Sequence, residues 1–146
     1  MKVSEAMSRD VRIASPDETI CDAAKAMAAI DAGALPVGEN NRLVGMITDR
    51  DIALRAVAER KGPDTPIRDV MTKDVKYCFE DEDLEHVASN MGDIRVRRLP
   101  VLDRDKRVVG IVSLGDIAMV GGRGAAGEAV TGVSRPGGPH SQTARA

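Results

Sequence analysis

The 146-residue chain has almost no aromatic residues: Tyr77, Phe79 and no Trp. That scarcity excludes the stacking platforms on which proteins hold single-stranded nucleic acid. The chain also lacks a charge excess. Twenty-one basic residues stand against 23 acidic ones, a net charge of −2, which argues against nucleic acid as a partner. Cysteine is rare as well. Cys21 and Cys78 lie far apart and neither belongs to a CxxC pair. With only His86 and His140 beside them there is no zinc set, so both are expected to be structural thiols and no metal is expected. No run approaches the roughly 20 apolar residues of a membrane span. The opening Met1-Lys2-Val3-Ser4-Glu5 has no signal-peptide character, so a soluble, cytoplasmic protein without a membrane partner is expected. A P-loop and a nucleophile elbow are both missing, and His86 has no evident nucleophile beside it. No catalytic residues and no enzyme activity are expected.

What is present is a globular composition, 42% apolar and 30% charged, in a length that suits one ordinary domain or two very small ones. The chain also repeats itself. Met7-Ser8-Arg9-Asp10-Val11 returns as Met71-Thr72-Lys73-Asp74-Val75, an offset of 64. Residues 7–37 and 71–101 share 11 identities in 31 positions, including Leu35-Pro36-Val37 and Leu99-Pro100-Val101. After one inserted residue the offset becomes 65, and Asp51-Ile52-Ala53 meets Asp116-Ile117-Ala118. A register held that long marks an internal duplication.

Each repeat has the same expected elements. An extended stretch, Val11–Ser15 or Val75–Phe79, follows the Met-containing opening. Asp17-Glu18 or Asp81-Glu82 is read as opening a helix, where acidic residues suit the dipole. Ile20, Ala23, Ala24, Met27 and Ile30 fit the 3.6-residue period, as do Leu84, Val87, Ala88, Met91 and Ile94. A strand at Ala34–Val37 or Arg98–Leu102, a polar turn and a second apolar strand come next. A closing helix runs to about Arg60 in the first repeat and stops at Gly121-Gly122 in the second. The expected unit is β-α-β-β-α. Repeat 1 occupies residues 1–61, a Gly-Pro-Asp-Thr-Pro linker 62–66 and repeat 2 residues 67–120. Half of the 14 glycines fall in 121–146, with Pro136 and Pro139, so a flexible tail is expected there.

The second strand of each repeat runs into a shared motif. Gly45-Met46-Ile47-Thr48-Asp49-Arg50-Asp51 and Gly110-Ile111-Val112-Ser113-Leu114-Gly115-Asp116 each place a hydroxyl and a carboxylate at i and i+3. If a strand ends at the hydroxyl and a helix starts there, both side chains leave one edge of the first turn. That geometry suits the adjacent hydroxyls of a ribose, with the carboxylate as acceptor. The same spacing is a variant of the capping box, and a single copy is more often a cap than a ligand site. Two copies in matching context favour the ligand reading.

Together, the tandem unit, the Met-(Ser/Thr)-basic-Asp-Val openings, the Leu-Pro-Val strands and the two Gly-to-Asp motifs resemble a CBS-domain pair (the cystathionine β-synthase domain) over about residues 1–120. The stretch Ile47-Thr48-Asp49-Arg50-Asp51-Ile52 is similar to stand-alone bacterial members with no attached enzyme or channel. The resemblance implies an α/β (α+β) fold of two β-α-β-β-α repeats related by a pseudo-twofold axis, with the sheets packed together and the helices outside. It implies two clefts for adenosine-containing ligands (AMP, ADP or ATP, or else NAD or S-adenosylmethionine) and no catalytic cofactor. It implies a homodimer and a regulatory output read by an unidentified partner protein, with a ligand-free dimerisation scaffold as the alternative. Thr48 and Asp51 would hold ribose in one cleft, with Val75, Tyr77, Pro100 and Val101 at the base. Ser113 and Asp116 would do so in the other, with Val11, Ile13, Pro36 and Val37. Arg97, then Arg98 and Arg50, would meet phosphate. Arg97 is matched in the first repeat by Gly33, and Arg50 in the second by Gly115, so the two sites should not be equivalent.

Overall fold

The computed structural model describes residues 1–120, 124, 127 and 130–132. Its fold is mixed α/β, with a two-stranded and a three-stranded sheet. Two compact units are formed, and neither is a continuous stretch of chain. The first comprises Asp10–Lys76 with Asp105–Val108. The second comprises Met1–Arg9, Tyr77–Arg104 and the described residues from Val109 onward.

In the first unit, helix α1 (Ile20–Ile30) is started by Thr19. Its hydroxyl accepts from the Asp22 N–H at 3.1 Å while the Asp22 carboxylate accepts from the Thr19 N–H at 3.2 Å. These reciprocal bonds satisfy donors that the first turn would otherwise leave unpaired, and they hold the Asp22 carboxyl below its ordinary value. The helix buries Ile20, Ala23, Ala26 and Met27 and ends on Asp31 in the left-handed region. Strands β1 (Ala34–Glu39) and β2 (Arg42–Thr48) form an antiparallel hairpin in which Leu35 faces Ile47. Asn40 and Asn41, with φ of 54° and 64°, supply the two left-handed positions of its tight turn. Helix α2 follows directly. Its first turn, Asp49–Asp51, is α-helical and its remainder, Ile52–Val57, is π-helical. Arg60, at φ 60°, then turns the chain out of the helix, close to the expected stop. Leu35, Val37, Ile47, Ile67 and Val70 are fully buried in this unit's core.

In the second unit, strand β3 (Cys78–Phe79) lies parallel to β4 (Arg98–Leu102), which neighbours β5 (Val108–Ser113). Helix α3 (Leu84–Ile94) is capped by Asp83, whose carboxylate accepts from the His86 N–H at 3.3 Å. Like α1, it ends on a left-handed residue, here Arg95. Helix α4 (Leu114–Val120) continues from β5. Val3, Leu84, Val87, Met91, Val101, Val112 and Ile117 form the core.

The openings of the two repeats are exchanged. The 3-10 turn Val3–Glu5 lies in the second unit, and the 3-10 turn Ile67–Asp69 lies in the first. Thr72 exchanges two backbone hydrogen bonds with Met46, both at 2.9 Å, and Ser8 exchanges two with Ile111, at 2.8 and 3.0 Å. These crossings explain the glycine that begins each motif. A Cβ on Gly45 would lie 2.7 Å from Met71 Sδ and 2.9 Å from the Thr72 carbonyl oxygen. One on Gly110 would lie 2.6 Å from the Ser8 carbonyl oxygen and 2.9 Å from Met7 Sδ. The opening Met of one repeat thus covers the motif glycine of the other.

Several expectations need correction. Asp17-Glu18 and Asp81-Glu82 do not open helices, because the helices begin at Ile20 and Leu84. They close the preceding turns instead. Glu18 accepts from the Ser15 N–H at 2.8 Å and Glu82 from the Phe79 N–H at 2.7 Å. Asp17 pairs with Arg68, and Asp81 takes a two-pronged contact from Arg104 at 2.9 and 2.6 Å. The extended stretch Val11–Ser15 forms a single bridge, Ala14 to Val37, rather than a strand. The expected linker, residues 62–66, is not overturned; it also bonds to the start of α1, where the Thr65 carbonyl accepts from the Ile20 N–H at 2.9 Å. Beyond Val120, the described residues Gly124, Gly127, Val130, Thr131 and Gly132 are helical. Gly132 lies so close to α3 that a Cβ would fall 2.4 Å from the Gly92 carbonyl oxygen. The rest of the tail expectation, with Pro136, Pro139 and His140, falls outside the described residues.

Candidate functional site

Both motifs fold into the same edge. In the first unit, Thr48 ends β2 in extended conformation and becomes the N-cap of α2. Its Oγ1 accepts from the Asp51 N–H at 3.0 Å, and Asp51 Oδ2 accepts from the Thr48 N–H at 3.1 Å. In the second unit, Ser113 Oγ accepts from the Asp116 N–H at 3.2 Å, and Asp116 Oδ2 accepts from the Ser113 N–H at 2.9 Å. The four side chains therefore make two capping boxes, and all four are half-buried. The capping bonds do not use up the polar groups of either pair. Each carboxylate spends one oxygen on the box, and each hydroxyl can still donate its proton.

The start of the preceding strand closes the edge from one side. The Gly33 carbonyl accepts from the Asp49 N–H, and the Arg97 carbonyl accepts from the Leu114 N–H, both at 3.0 Å. In the first unit the backbone beside the motif is therefore glycine, and in the second it is arginine. The cation inside the motif is reversed: Arg50 in the first, Gly115 in the second. Arg50 and Arg97 are exposed, Arg98 is half-buried, and their guanidinium groups have no protein partner among the described residues.

A duplicated strand–cap–helix edge, with exchanged opening segments packed on its glycine, matches a known architecture. The family model for the CBS domain matches residues 3–57 and again 67–121. The chain belongs to the CBS-domain family. It is 39% identical over 133 residues to the CBS domain-containing protein YhcV of Bacillus subtilis, covering 90% of this chain and 94% of that one. Among solved structures, a conserved CBS domain protein of unknown function from Thermoplasma acidophilum, TA0289, superposes with a TM-score of 0.78. It is 30% identical, over 90% of this chain and 75% of that one. The CBS domain pair of protein MJ0100, solved in complex with 5-methylthioadenosine and S-adenosyl-L-methionine, gives a TM-score of 0.74. It is 35% identical, over 84% of this chain and all of that one.

The CBS frame organises the remaining residues. In the first unit, Ala14 bonds both ways to the β1 backbone, donating to Pro36 and accepting from Gly38, each at 2.9 Å. This seats exposed Ile13 against Gly38, next to buried Pro36 and Val37, while Val11, three residues before the bridge, is half-buried. In the second unit, the pairing of Cys78 with Val101 seats Tyr77 beside Pro100 and Val101. Ile13 and Tyr77 occupy matching places and are 43% and 44% exposed, unlike the buried strand residues next to them. Val75 falls in the first unit, with Thr48 and Asp51, whereas Tyr77, Pro100 and Val101 fall in the second with Ser113 and Asp116. Tyr77 meets Phe79 edge-on at 5.7 Å, and Arg104 lies 4.2 Å over the Phe79 ring, so the chain's two aromatic residues form one small cluster.

Cys78 is a buried thiol pushed up to about 12, chiefly by burial, with Sγ 3.9 Å from the Pro100 carbonyl. It is inert packing. Neither cysteine forms a disulfide. Among the described residues no cluster of His, Cys, Asp or Glu could hold a metal, and no helix is long and apolar enough to cross a membrane.

One residue beside the site was not singled out from the sequence. Arg55 Nε lies 3.9 Å from Asp51 Oδ1, and Nη1 reaches the carbonyls of Val70 and Met71 at 3.4 and 3.3 Å. Its i+4 spacing from Asp51 on a helix is the signal that could have found it.

Proposed function

We propose that this CBS pair is a regulatory module that binds an adenosine-containing ligand and passes its occupancy to a partner protein. The observation that carries this reading is the double edge. Two hydroxyl–carboxylate pairs are fixed by the same reciprocal hydrogen bonds, each with a second carboxylate oxygen outside the box and each beside an arginine whose guanidinium has no partner among the described residues. In this reading Thr48 with Asp51 and Ser113 with Asp116 accept the ribose hydroxyls. Arg50 serves phosphate at the first edge, and Arg97 with Arg98 at the second. Val75, Tyr77, Pro100 and Val101, and separately Val11, Ile13, Pro36 and Val37, supply apolar and backbone contacts to the base. The complex of MJ0100 with two adenosine compounds supports the ligand class. CBS domains are regulatory rather than catalytic modules, so no turnover is proposed.

We also infer a homodimer. Leu54 and Val57 on α2 and Met119 and Val120 on α4 are large apolar residues left 49%, 68%, 85% and 45% exposed. Ile30 and Ile94, at matching helix ends, add to them. Leu54 and Met119 hold matching places in the two repeats, and such apolar surface suits burial against a second copy. It also favours a second reading, a ligand-free dimerisation scaffold in which the capping boxes are only caps.

A thermal-shift panel with AMP, ADP, ATP, NAD and S-adenosylmethionine separates the two readings. A ligand at 100 times its dissociation constant adds about 2.7 kcal/mol of stability. A shift with one adenosine compound that disappears in Asp51→Asn or Asp116→Asn supports the sensor and names the working edge, since Asn keeps an acceptor for the cap. A flat panel with a dimer in sedimentation leaves the scaffold.

A further inference from the structure

The Thr48–Asp51 edge has a connection that its counterpart lacks. Asp51 Oδ2 is committed to the Thr48 N–H, and it is the other oxygen, Oδ1, that Arg55 Nε approaches at 3.9 Å. The same guanidinium donates through Nη1 to the carbonyls of Val70 and Met71. Those two residues are not idle surface. Val70 is fully buried, Met71 lies against Gly45, and the next residue, Thr72, makes the paired backbone bonds to Met46. Arg55 therefore joins the spare carboxylate oxygen of the candidate ribose pair to the segment that crosses the motif glycine. In the second unit the position of Arg55 is taken by Val120, which has no guanidinium to make such bonds.

We propose that Arg55 is a positioning residue that couples the state of the Asp51 carboxylate to the Val70–Thr72 crossing, so that the first edge reports its occupancy through the backbone and the second does not. The proposal rests on the ligand reading only for what occupies Asp51; the coupling itself is a property of the unliganded protein. The ion pair is long and Arg55 is half-exposed, so its attraction is weak and a ribose hydroxyl donating to Oδ1 replaces it. The guanidinium is then left with the two carbonyls, and the balance of forces on the crossing changes. Within this unit Arg55 meets the Asp51 carboxylate and the two carbonyls.

The test is a double-mutant cycle read by amide hydrogen exchange on the full chain without ligand. Arg55→Gln and Asp51→Asn are each expected to speed exchange of the Thr72 and Met46 amides about fivefold. The double variant should be no faster than Arg55→Gln alone, because Asp51 acts on the crossing only through Arg55. The Ser8 and Ile111 amides should stay unchanged in all three and serve as the internal control for general loosening. Additive effects, or no effect of Arg55→Gln, overturn the coupling. AMP is the probe for the second arm. It should move Thr72 exchange in the wild-type chain and leave it unmoved in Arg55→Gln, while calorimetry reports its binding to both. Failure of AMP to bind the wild-type chain counts against the proposed ligand class, and the ligand-free cycle still decides the coupling. Binding to the wild type that leaves Thr72 exchange unchanged overturns the proposal.

Discussion

Set side by side, the two edges share a hydrogen-bond skeleton and differ in nearly every charge around it. Thr48–Asp51 and Ser113–Asp116 make the same pair of bonds, and each follows a strand whose glycine lies under a methionine. Around that skeleton, Gly33 opposes Arg97, Arg50 opposes Gly115 and Arg55 opposes Val120. The skeleton is what the backbone needs in order to turn from strand to helix. The charges are what a bound anion would read. The duplicated part answers to folding, and the divergent part is free to set two different specificities.

The comparison can be broken first at the cores. Leu35 and Leu99 hold matching places in β1 and β4, at 0% and 3% exposure. Each Leu→Ala change is expected to cost about 3 kcal/mol in urea unfolding. A cost confined to one of them would show that the two units do not share the stability evenly. Next come the crossings. Gly110→Ala drives a methyl into the Ser8 carbonyl and should cost about 2 kcal/mol. In Gly45→Ala the methyl meets the flexible Met71 thioether at 2.7 Å and the Thr72 carbonyl oxygen at 2.9 Å, a less severe backbone approach than at Gly110, so Met71→Ala recovers part of the cost but not all of it. Met7→Ala does not rescue Gly110→Ala, because the obstruction there is backbone. Thermal unfolding of the four variants and the two doubles measures this.

Smaller effects sharpen the likeness. Thr48→Ala and Ser113→Ala each remove one cap acceptor and should each cost about 1 kcal/mol. Equal losses would establish that the two boxes serve folding alike, whatever they do with a ligand. The smallest expected effect lies in the turn before α1. Arg12 bonds the Glu18 carboxylate at 2.7 Å, and this contact, with the Ser15 N–H, holds its titration below the ordinary value. The folded form is therefore favoured above the unfolded-state value of about 4.3, and that contribution fades as pH falls through the lowered folded value. Glu18→Gln should flatten the acid limb of the stability profile by less than about 1 kcal/mol, since the pair is part-exposed.

How much of this was legible depended on the range of the signal. The 64-residue repeat, the 3.6-residue apolar spacing of α1 and α3, and the Asn40-Asn41 turn are local, and each produced the expected element. The motif placed its four side chains on strand-to-helix edges, as its i, i+3 spacing required. The acidic pairs were misread because Thr19 and Asp83, a residue or two further on, are the better caps, and the turn before them offered its own N–H groups. The exchange of openings has no local signature: Met7 meets Gly110 from more than a hundred residues away. The π-helical stretch Ile52–Val57 likewise announces itself in no pattern of apolar residues.

The exchanged openings also bear on how the chain folds as it leaves the ribosome. Most of the first unit, Asp10–Lys76, is available once the first half has emerged, whereas Met1–Arg9 belongs to a unit whose strands and helices have yet to be made. Val3 and Met7 must wait for Leu84, Met91 and Val112. Such distant contacts slow folding. Until synthesis passes Ser113, Val3 and Met7 have no core to enter, and deleting residues 1–9 would unravel the later half of the chain rather than the earlier.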